Sequence, residues 1–564
     1  MTAARLPDGA PPAGDFRVVP AGDAALVVEF EDLIDPDVNR RSVAVAGGMQ
    51  RAALPGVRDI VPTYRSVAVY FDPLRTDFAA LSNRLAREAA APAPAAGSAR
   101  PVVHIPVCYG GAFGPDLSEV AAFAGLTEAE VVTVHAAATY RVFMMGFVPG
   151  FVYLGPLDPR IAAPRRRMPR TRVAAGSVGI AGRQTGVYPT DSPGGWQLIG
   201  RTSLATFDVT RPDPFLLSTG DCVQFEPVDA ELASRPQRTE RPGGDALSPP
   251  SGPCLRIIRP GLLTTIQDRG RWGWQARGVP VAGPMDPCSH RVANALVGND
   301  PDAASLEVTL VGPECEFEDE RVVAVAGAEF AITLDGRPQA SNEPFLVPAG
   351  VRLKFGSRRR GARAYLAVAG GIAVPRFLGS RATHLVSRIG GLEGRALAAG
   401  DRLPLGGTRG APRRIAPRGL PSMPAPGDSV RLRVLPGPQL DRFVGTTLET
   451  LQSAPYTVGT ASDRMGFRLD GPALRHASGA DIISDATPHG ALQVPASGQP
   501  VLLMADRQTT GGYAKVATLI SADLGVAGQL APGDRVVFNA CTPAEAVAAL
   551  MAQERALMAL EGAR

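Results

Sequence analysis

AGRQTGVYPT occupies residues 181–190, and ADRQTTGGYA occupies residues 505–514. Each carries Ala-x-Arg-Gln-Thr followed by glycine and tyrosine. Two further pairs run in the same order: Met145-Gly146-Phe147 with Met465-Gly466-Phe467, and Gly220-Asp221 with Gly533-Asp534. Three anchors in one order predict a duplicated β-domain in which the two Arg-Gln-Thr stretches are equivalent. Short apolar runs punctuated by Gly, Pro and Asp surround both copies, the pattern of barrels or sandwiches.

Outward from the repeat, three Pro/Gly-rich stretches divide the 564 residues: 90–101, 234–253 and 411–428. The blocks between them are a small α/β domain (1–90), a β-barrel (101–233), a linker (234–253), a first β-rich domain (254–410), a second barrel-like β-domain (428–541) and a C-terminal helix (542–564). DPDVNRRSVAVAGGMQRAAL and LRTDFAALSNRLAREAA read as helices of the first block. Residues 116–138 and DPCSHRVANALVGN are one helix each. Thr542, followed by Pro543 and Glu545, is placed to cap the last helix.

Composition excludes several classes. The chain is 45% hydrophobic and 20% charged, with a formal net charge of +4. That is an ordinary globular balance, without the basic stripe of a nucleic-acid binder. No apolar run is long enough to span a bilayer, and the first residues lack a signal-peptide core. Six scattered cysteines form no C-x-x-C pair, so no metal site is expected and a reduced, cytoplasmic setting is. P-loop and H-E-x-x-H motifs are absent. The prolines around Arg165, Arg166, Arg167 and Arg170 predict a solvated basic loop.

Candidate residues concentrate beside the repeat. Arg183 can hold a carboxylate or phosphate in a bidentate manner. Gln184 suits an amide, Thr185, Tyr188 and Ser192 supply hydroxyls, and Trp196 an apolar wall. Asp463, Arg464, Asp506, Arg507, Gln508, Thr509, Tyr513 and Lys515 are expected to converge at one barrel mouth. Of 58 basic residues only Lys354 and Lys515 are lysines. A lysine retained inside the second repeat points to a need for a compact point charge. Asp286 is either an N-cap or a site carboxylate. His290 is read on the solvent side of its helix. His135 is a candidate acid/base group or a core histidine.

MGFVPGFVYLG, PRRRMPR and AGSVGIAGRQTGVYPTDSPGGWQLIGRT resemble the B component of 5-oxoprolinase, also described as allophanate hydrolase subunit 1-like or sporulation-kinase-inhibitor-like. PGLLTTIQDRGRWG, GVPVAGPMD, SDRMGFRL, QVPASGQPVLLMADRQTTGGYAKVATLISADL and LAPGDRVVF resemble the C component, the allophanate hydrolase subunit 2-like or carboxyltransferase A/B family. The resemblance implies a fusion of the two, with tandem cyclophilin-like β-barrels behind an N-terminal α/β domain. It implies ATP-dependent opening of 5-oxoproline to glutamate, with ATP and Mg²⁺ and a separate partner like the A component of 5-oxoprolinase; homo-oligomers remain open. Arg183 or Arg507 would then hold the substrate carboxylate or phosphates, Gln184 or Gln508 the lactam amide, and Lys515 a phosphoryl oxygen, with Asp506 and His135 among the catalytic candidates. The same modules resemble the carboxyltransferase part of urea carboxylase, although no Ala-Met-Lys-Met biotin site is present. Regulators of a histidine kinase belong to the family as well.

Overall fold

The computed structural model describes residues 16–92, 101–166, 168, 170–230, 252–407 and 419–562. The 234–253 linker expectation therefore falls almost wholly outside the described residues. The N-terminal unit is a four-stranded antiparallel sheet in the order Arg17–Pro20, Ala25–Glu29, Ser66–Phe71, Val57–Pro62. Helices Pro36–Ala52 and Phe78–Ala90 cover its apolar face. Asp35 and Asp77 cap them through side-chain oxygens, satisfying backbone N–H groups that have no partner inside a helix.

The first closed barrel runs Gln184–Val187, Val152–Gly155, Thr139–Met145, Cys222–Pro227, Val102–Tyr109, Gln197–Arg201, Ser177–Ala181. The second runs Val501–Leu503, Gly466–Asp470, Tyr456–Val458, Arg535–Ala540, Ser429–Pro436, Lys515–Leu519, Ala491–Gln493. The order and the single parallel pair coincide: Cys222–Pro227 lies parallel to Val102–Tyr109, and Arg535–Ala540 to Ser429–Pro436. Each barrel also carries a two-stranded ribbon, Arg170–Val173 with Ser192–Gly194 and Asp481–Ala486 with Thr510–Tyr513. The chain is thus mainly β, with tandem barrels and an α/β N-terminal unit.

The topology corrects the register of the repeat. Strand Gln184–Val187 occupies the place of Val501–Leu503, so the first Arg-Gln-Thr lies in a barrel wall. The second lies past its strand, on the way to the ribbon. The stretches that correspond are Gly194-Gly195-Trp196 and Gly511-Gly512-Tyr513, whose first glycines both lie 10 residues after the first residue of their strands (194 minus 184, 511 minus 501). Met145 ends a strand, whereas Gly466 begins the next one round, so that anchor fails too. The Gly-Asp anchor holds. Gly220 and Gly533 both sit at φ +92°, and Asp221 and Asp534 accept from Ser218 N and Ala531 N at 2.7 and 2.8 Å. Only glycine adopts that backbone without strain.

Between the barrels, residues 254–405 build a nine-stranded open sheet around the long strands Arg321–Leu334 and Arg352–Val368. Helix Pro287–Leu296 packs on it, and the C-terminal helix Pro543–Gly562 packs on that helix, tied by Arg291 to Glu554 and Glu561 at 2.7 and 2.9 Å. Thr542 and Glu545 form the expected reciprocal cap. The 116–138 stretch is two helices, Leu117–Ala124 and Glu128–Ala137, because Thr127 and Glu130 start a new one with a capping box. His290 is fully buried, not solvent-facing: its Nε2 meets the Gln267 carbonyl at 3.2 Å. The basic run is a clamp, not a solvated loop. Arg166 and Arg170 grip the buried Asp116 at 2.8 and 2.7 Å, while Arg167 lies outside the described residues. Among the described residues no single helix is long and apolar enough to cross a membrane.

Candidate functional site

The chemistry-bearing residues meet where the N-terminal sheet and first barrel press on the second barrel. Strand Lys515–Leu519 points Lys515 into this junction, where it is wholly buried, whereas Lys354 is exposed on its sheet. The Lys515 ammonium lies 3.3 Å from Asp485 Oδ2. Asp485 comes from the second-barrel ribbon, and its other oxygen accepts from the Ser66 hydroxyl of the N-terminal sheet at 2.5 Å. Gln439 bridges further, donating to Asp485 at 3.2 Å and to Glu29 at 3.0 Å. Burial alone would raise the Asp485 carboxyl; Lys515, Ser66 and Arg65 outweigh it and hold the group below the usual carboxylate range. An ammonium has three N–H donors, and among the described residues Asp485 is the one side-chain acceptor given to it, which leaves donors for an anionic oxygen.

A second cluster adjoins the first. Asp59, on the N-terminal sheet, accepts from Gly273 N, Gln275 N and Gln275 Nε2 at 3.0, 3.2 and 3.2 Å. Gln275 Oε1 accepts from Arg507 at 3.1 Å, and Arg507 Nε donates to the Thr487 carbonyl at 2.8 Å. Burial lowers the Arg507 pKa and raises that of Asp59. No carboxylate of the described residues lies at ion-pair distance from Arg507. The buried Tyr70 hydroxyl and His489 Nε2, its electrostatic neighbours, have no hydrogen-bond partner among the described residues, nor has Thr509 Oγ1. Unspent buried polar groups are costly, and a polar ligand would satisfy them.

Asp506 anchors the third part. It holds Arg464 at 2.9 and 3.0 Å, and Arg464 also reaches Glu307 and the Gly283 carbonyl, the latter at 2.6 Å. Burial would lower the Arg464 pKa, but Asp506 and Glu307 reverse this and keep the guanidinium charged. Asp463, exposed, only folds its own turn by accepting from Met465 N at 2.8 Å.

The structure therefore brings together Lys515, Arg507, Asp506, Arg464 and Thr509, with Gln508 donating to Gln493 nearby at 3.1 Å. Tyr513 stands at the ribbon end, its hydroxyl pKa raised by burial. The first-copy residues lie elsewhere. Arg183 is exposed. Thr185 and His135 are inside the first barrel, 2.8 Å apart, with Tyr109 at 2.8 Å on the other ring nitrogen. Burial drives the His135 pKa down to about 3, so the ring is a neutral core group. Tyr188 and Trp196 pack edge-to-face with Phe151, and the buried Gln184 Oε1 and Ser192 Oγ have no partner. Asp286 is the N-cap of helix Pro287–Leu296, accepting from Ser289 N at 3.0 Å and Gln529 at 2.7 Å. Sequence reasoning missed Asp485, Ser66, Glu29, Gln439, Asp59 and Gln275; no motif marks them, and only the tertiary fold gathers them.

Family comparison matches the carboxyltransferase domain, subdomains C and D, to residues 16–217, and subdomains A and B to residues 277–540. The chain is 39% identical over 306 residues to the C component of Escherichia coli 5-oxoprolinase, covering 53% of this chain and 96% of that protein. It is 41% identical over 220 residues to the B component of Bacillus subtilis 5-oxoprolinase, covering 37% of this chain and 92% of that protein. A crystal structure of TTHA0988 superposes with TM-score 0.80 at 38% identity, over 91% of this chain and 99% of that one. The urea amidolyase of Kluyveromyces lactis superposes at TM-score 0.53 and 25% identity, over 73% of this chain but 27% of that one. The chain belongs to the carboxyltransferase-domain family that includes the B and C components of 5-oxoprolinase, with its B-like and C-like halves in tandem.

Proposed function

We propose that this chain is the fused B and C component of an ATP-dependent 5-oxoprolinase, acting with a separate A-type protein to open 5-oxo-L-proline to L-glutamate. The observation that supports it is the buried Lys515–Asp485 pair, assembled from both halves through Ser66, Gln439 and Glu29. A pair built by both halves fits components that work as a unit. The lactam carbonyl is a poor electrophile; phosphorylation of its oxygen by ATP releases ADP and activates the carbon, water adds there, the C–N bond breaks with the proton going to the amine, and a second water hydrolyses the resulting acyl phosphate to glutamate and inorganic phosphate. Arg507, which lacks a carboxylate partner, receives the substrate carboxylate in this reading. Lys515, tethered by Asp485, neutralises developing negative charge on oxygen. Among the described residues no group of three or more His, Cys, Asp or Glu is placed to hold a metal. Mg²⁺ enters this reading as the counter-ion of the nucleotide phosphates.

The test is reconstitution with an A-type protein, ATP, Mg²⁺ and 5-oxoproline. Glutamate is expected only when chain, partner and ATP are all present, and Lys515→Met is expected to abolish it. The urea amidolyase similarity, 34% over 328 residues and 18% of the Saccharomyces cerevisiae protein, favours a second reading as the carboxyltransferase component of a biotin-dependent amide carboxylase. Biotin-dependent carboxylation of urea with partner proteins, and no glutamate, would put that reading first.

A further inference from the structure

A cavity of about 530 Å³ opens between the nine-stranded sheet and the second barrel; its lining shares Arg464 and Asp506 with the site described above but includes neither Lys515 nor Asp485. Leu262, Leu310, Leu385, Met465, Phe467 and Leu530 form apolar walls, and Arg363, Asp463, Arg464 and Asp506 contribute the charged groups, Asp463 at the exposed edge with its carboxylate accepting from Met465 N and Gly466 N of its own turn. The volume falls within the range of small-molecule sites, and mostly apolar walls with a few fixed polar groups are their usual lining.

The two arginines are not alike. Arg464 is spent on Asp506, Glu307 and the Gly283 carbonyl. Arg363 is 6% exposed and has no carboxylate at ion-pair distance among the described residues. Its Nη1 donates to the Gly528 and Leu530 carbonyls at 2.6 and 3.2 Å, which fixes the guanidinium in place, while Nε has no partner. Glu307 supports its charge only at a distance, because its oxygens already serve Arg464, Tyr365 and Met285 N. The guanidinium carbon stands 5.6 Å from the Phe467 ring centroid, so charge and apolar wall share one face. Burial pulls the Arg363 pKa below its ordinary value, the response of a cation that lacks an anion beside it. Leu310 sits at φ +59°, a conformation a leucine rarely adopts, and backbone strain of this kind collects at ligand sites.

We propose that this cavity is a binding site for a small monocarboxylate with an apolar body, its carboxylate on the Arg363 guanidinium and its hydrocarbon against Leu385, Met465 and Phe467. The site does not depend on the proposed ring-opening reaction. An apolar body alone would leave the guanidinium unpaired, and a bare inorganic anion would leave the walls wet. A carboxylate attached to a hydrocarbon satisfies both.

The test uses the full chain and calorimetric titration with hexanoate, hexanamide and inorganic phosphate. Hexanoate is expected to bind at least ~tenfold more tightly than hexanamide, its neutral isostere, or phosphate, which has no apolar body. Arg363→Met is expected to remove that preference. Should Arg363→Met fail to fold, Leu385→Trp decides: residue 385 is a half-buried part of the cavity wall, and an indole there takes up volume that the hydrocarbon needs while the arginine is retained. It is expected to abolish hexanoate binding in a chain whose unfolding temperature stays near that of the parent. Equal binding of hexanoate and hexanamide, or hexanoate binding unaffected by Leu385→Trp, would overturn the proposal.

Discussion

At the scale of single residues, the lysine count already singled out Lys515, and its complete burial against Asp485 gives the reason arginine would not serve. A planar fork needs more room than one ammonium. Removing one partner of a buried pair leaves the other charge uncompensated, at a cost of ~3–5 kcal/mol. Lys515→Met is therefore expected to destabilise the chain by about that much in urea unfolding. The Lys515→Met/Asp485→Asn double variant should recover a large part of it. His135 teaches the opposite lesson. Sequence left it between acid/base group and core residue, because the distinction is burial, which no motif encodes. Its folded pKa of about 3 lies below the ordinary 6.5, so the unfolded chain binds the proton first as pH falls. Its contribution to stability is complete above about pH 6.5 and is lost progressively down to about pH 3. His290, pushed down to about 4, adds the same sign. Urea midpoints should fall from pH 7 to pH 4, and His135→Gln should flatten that slope.

At the scale of elements, the barrels were legible, but of the three anchors read for their internal correspondence only the Gly-Asp turn holds. Alternating Val-rich runs and turn residues announce strands wherever they occur. Yet the conspicuous Arg-Gln-Thr identity joined positions that occupy different places in the two barrels. The real correspondence rests on weak signals: Gly-Gly before an aromatic, and a Gly-Asp turn ahead of the strand that pairs in parallel. Backbone geometry is what both copies share there. Gly220→Ala and Gly533→Ala, each forcing a side chain onto φ +92°, are expected to cost similar amounts, on the order of 1–2 kcal/mol, in denaturant unfolding. A large cost at one and none at the other would break the equivalence. The site elements escaped for a related reason. Asp59 and Glu29 sit on ordinary strands whose sequences say nothing of partners at Gln275, between the barrels, and Gln439, in the second barrel region.

At the scale of the whole molecule, the halves adhere by close approach. A Cβ placed on Gly146 would lie 2.2 Å from the Thr510 hydroxyl, which itself accepts from Phe147 N at 2.8 Å. Cutting the backbone between residues 231 and 251 is expected to leave the two pieces co-eluting in size-exclusion chromatography. The same cut combined with Gly146→Val should weaken that association. The contacts that seal the junction span great lengths of chain: Ser66 to Asp485 is 419 residues, and Asp23 to Ser521 is 498. A ribosome adding ~5–20 residues each second needs roughly 20 to 100 s to travel that far. For that time Glu29 and Ser66, and for about half of it Asp59, stand on a domain whose partner has not been made. The carboxylates that end up deepest in the junction are thus also the groups that keep the waiting surface wet and unattractive to its neighbours during synthesis.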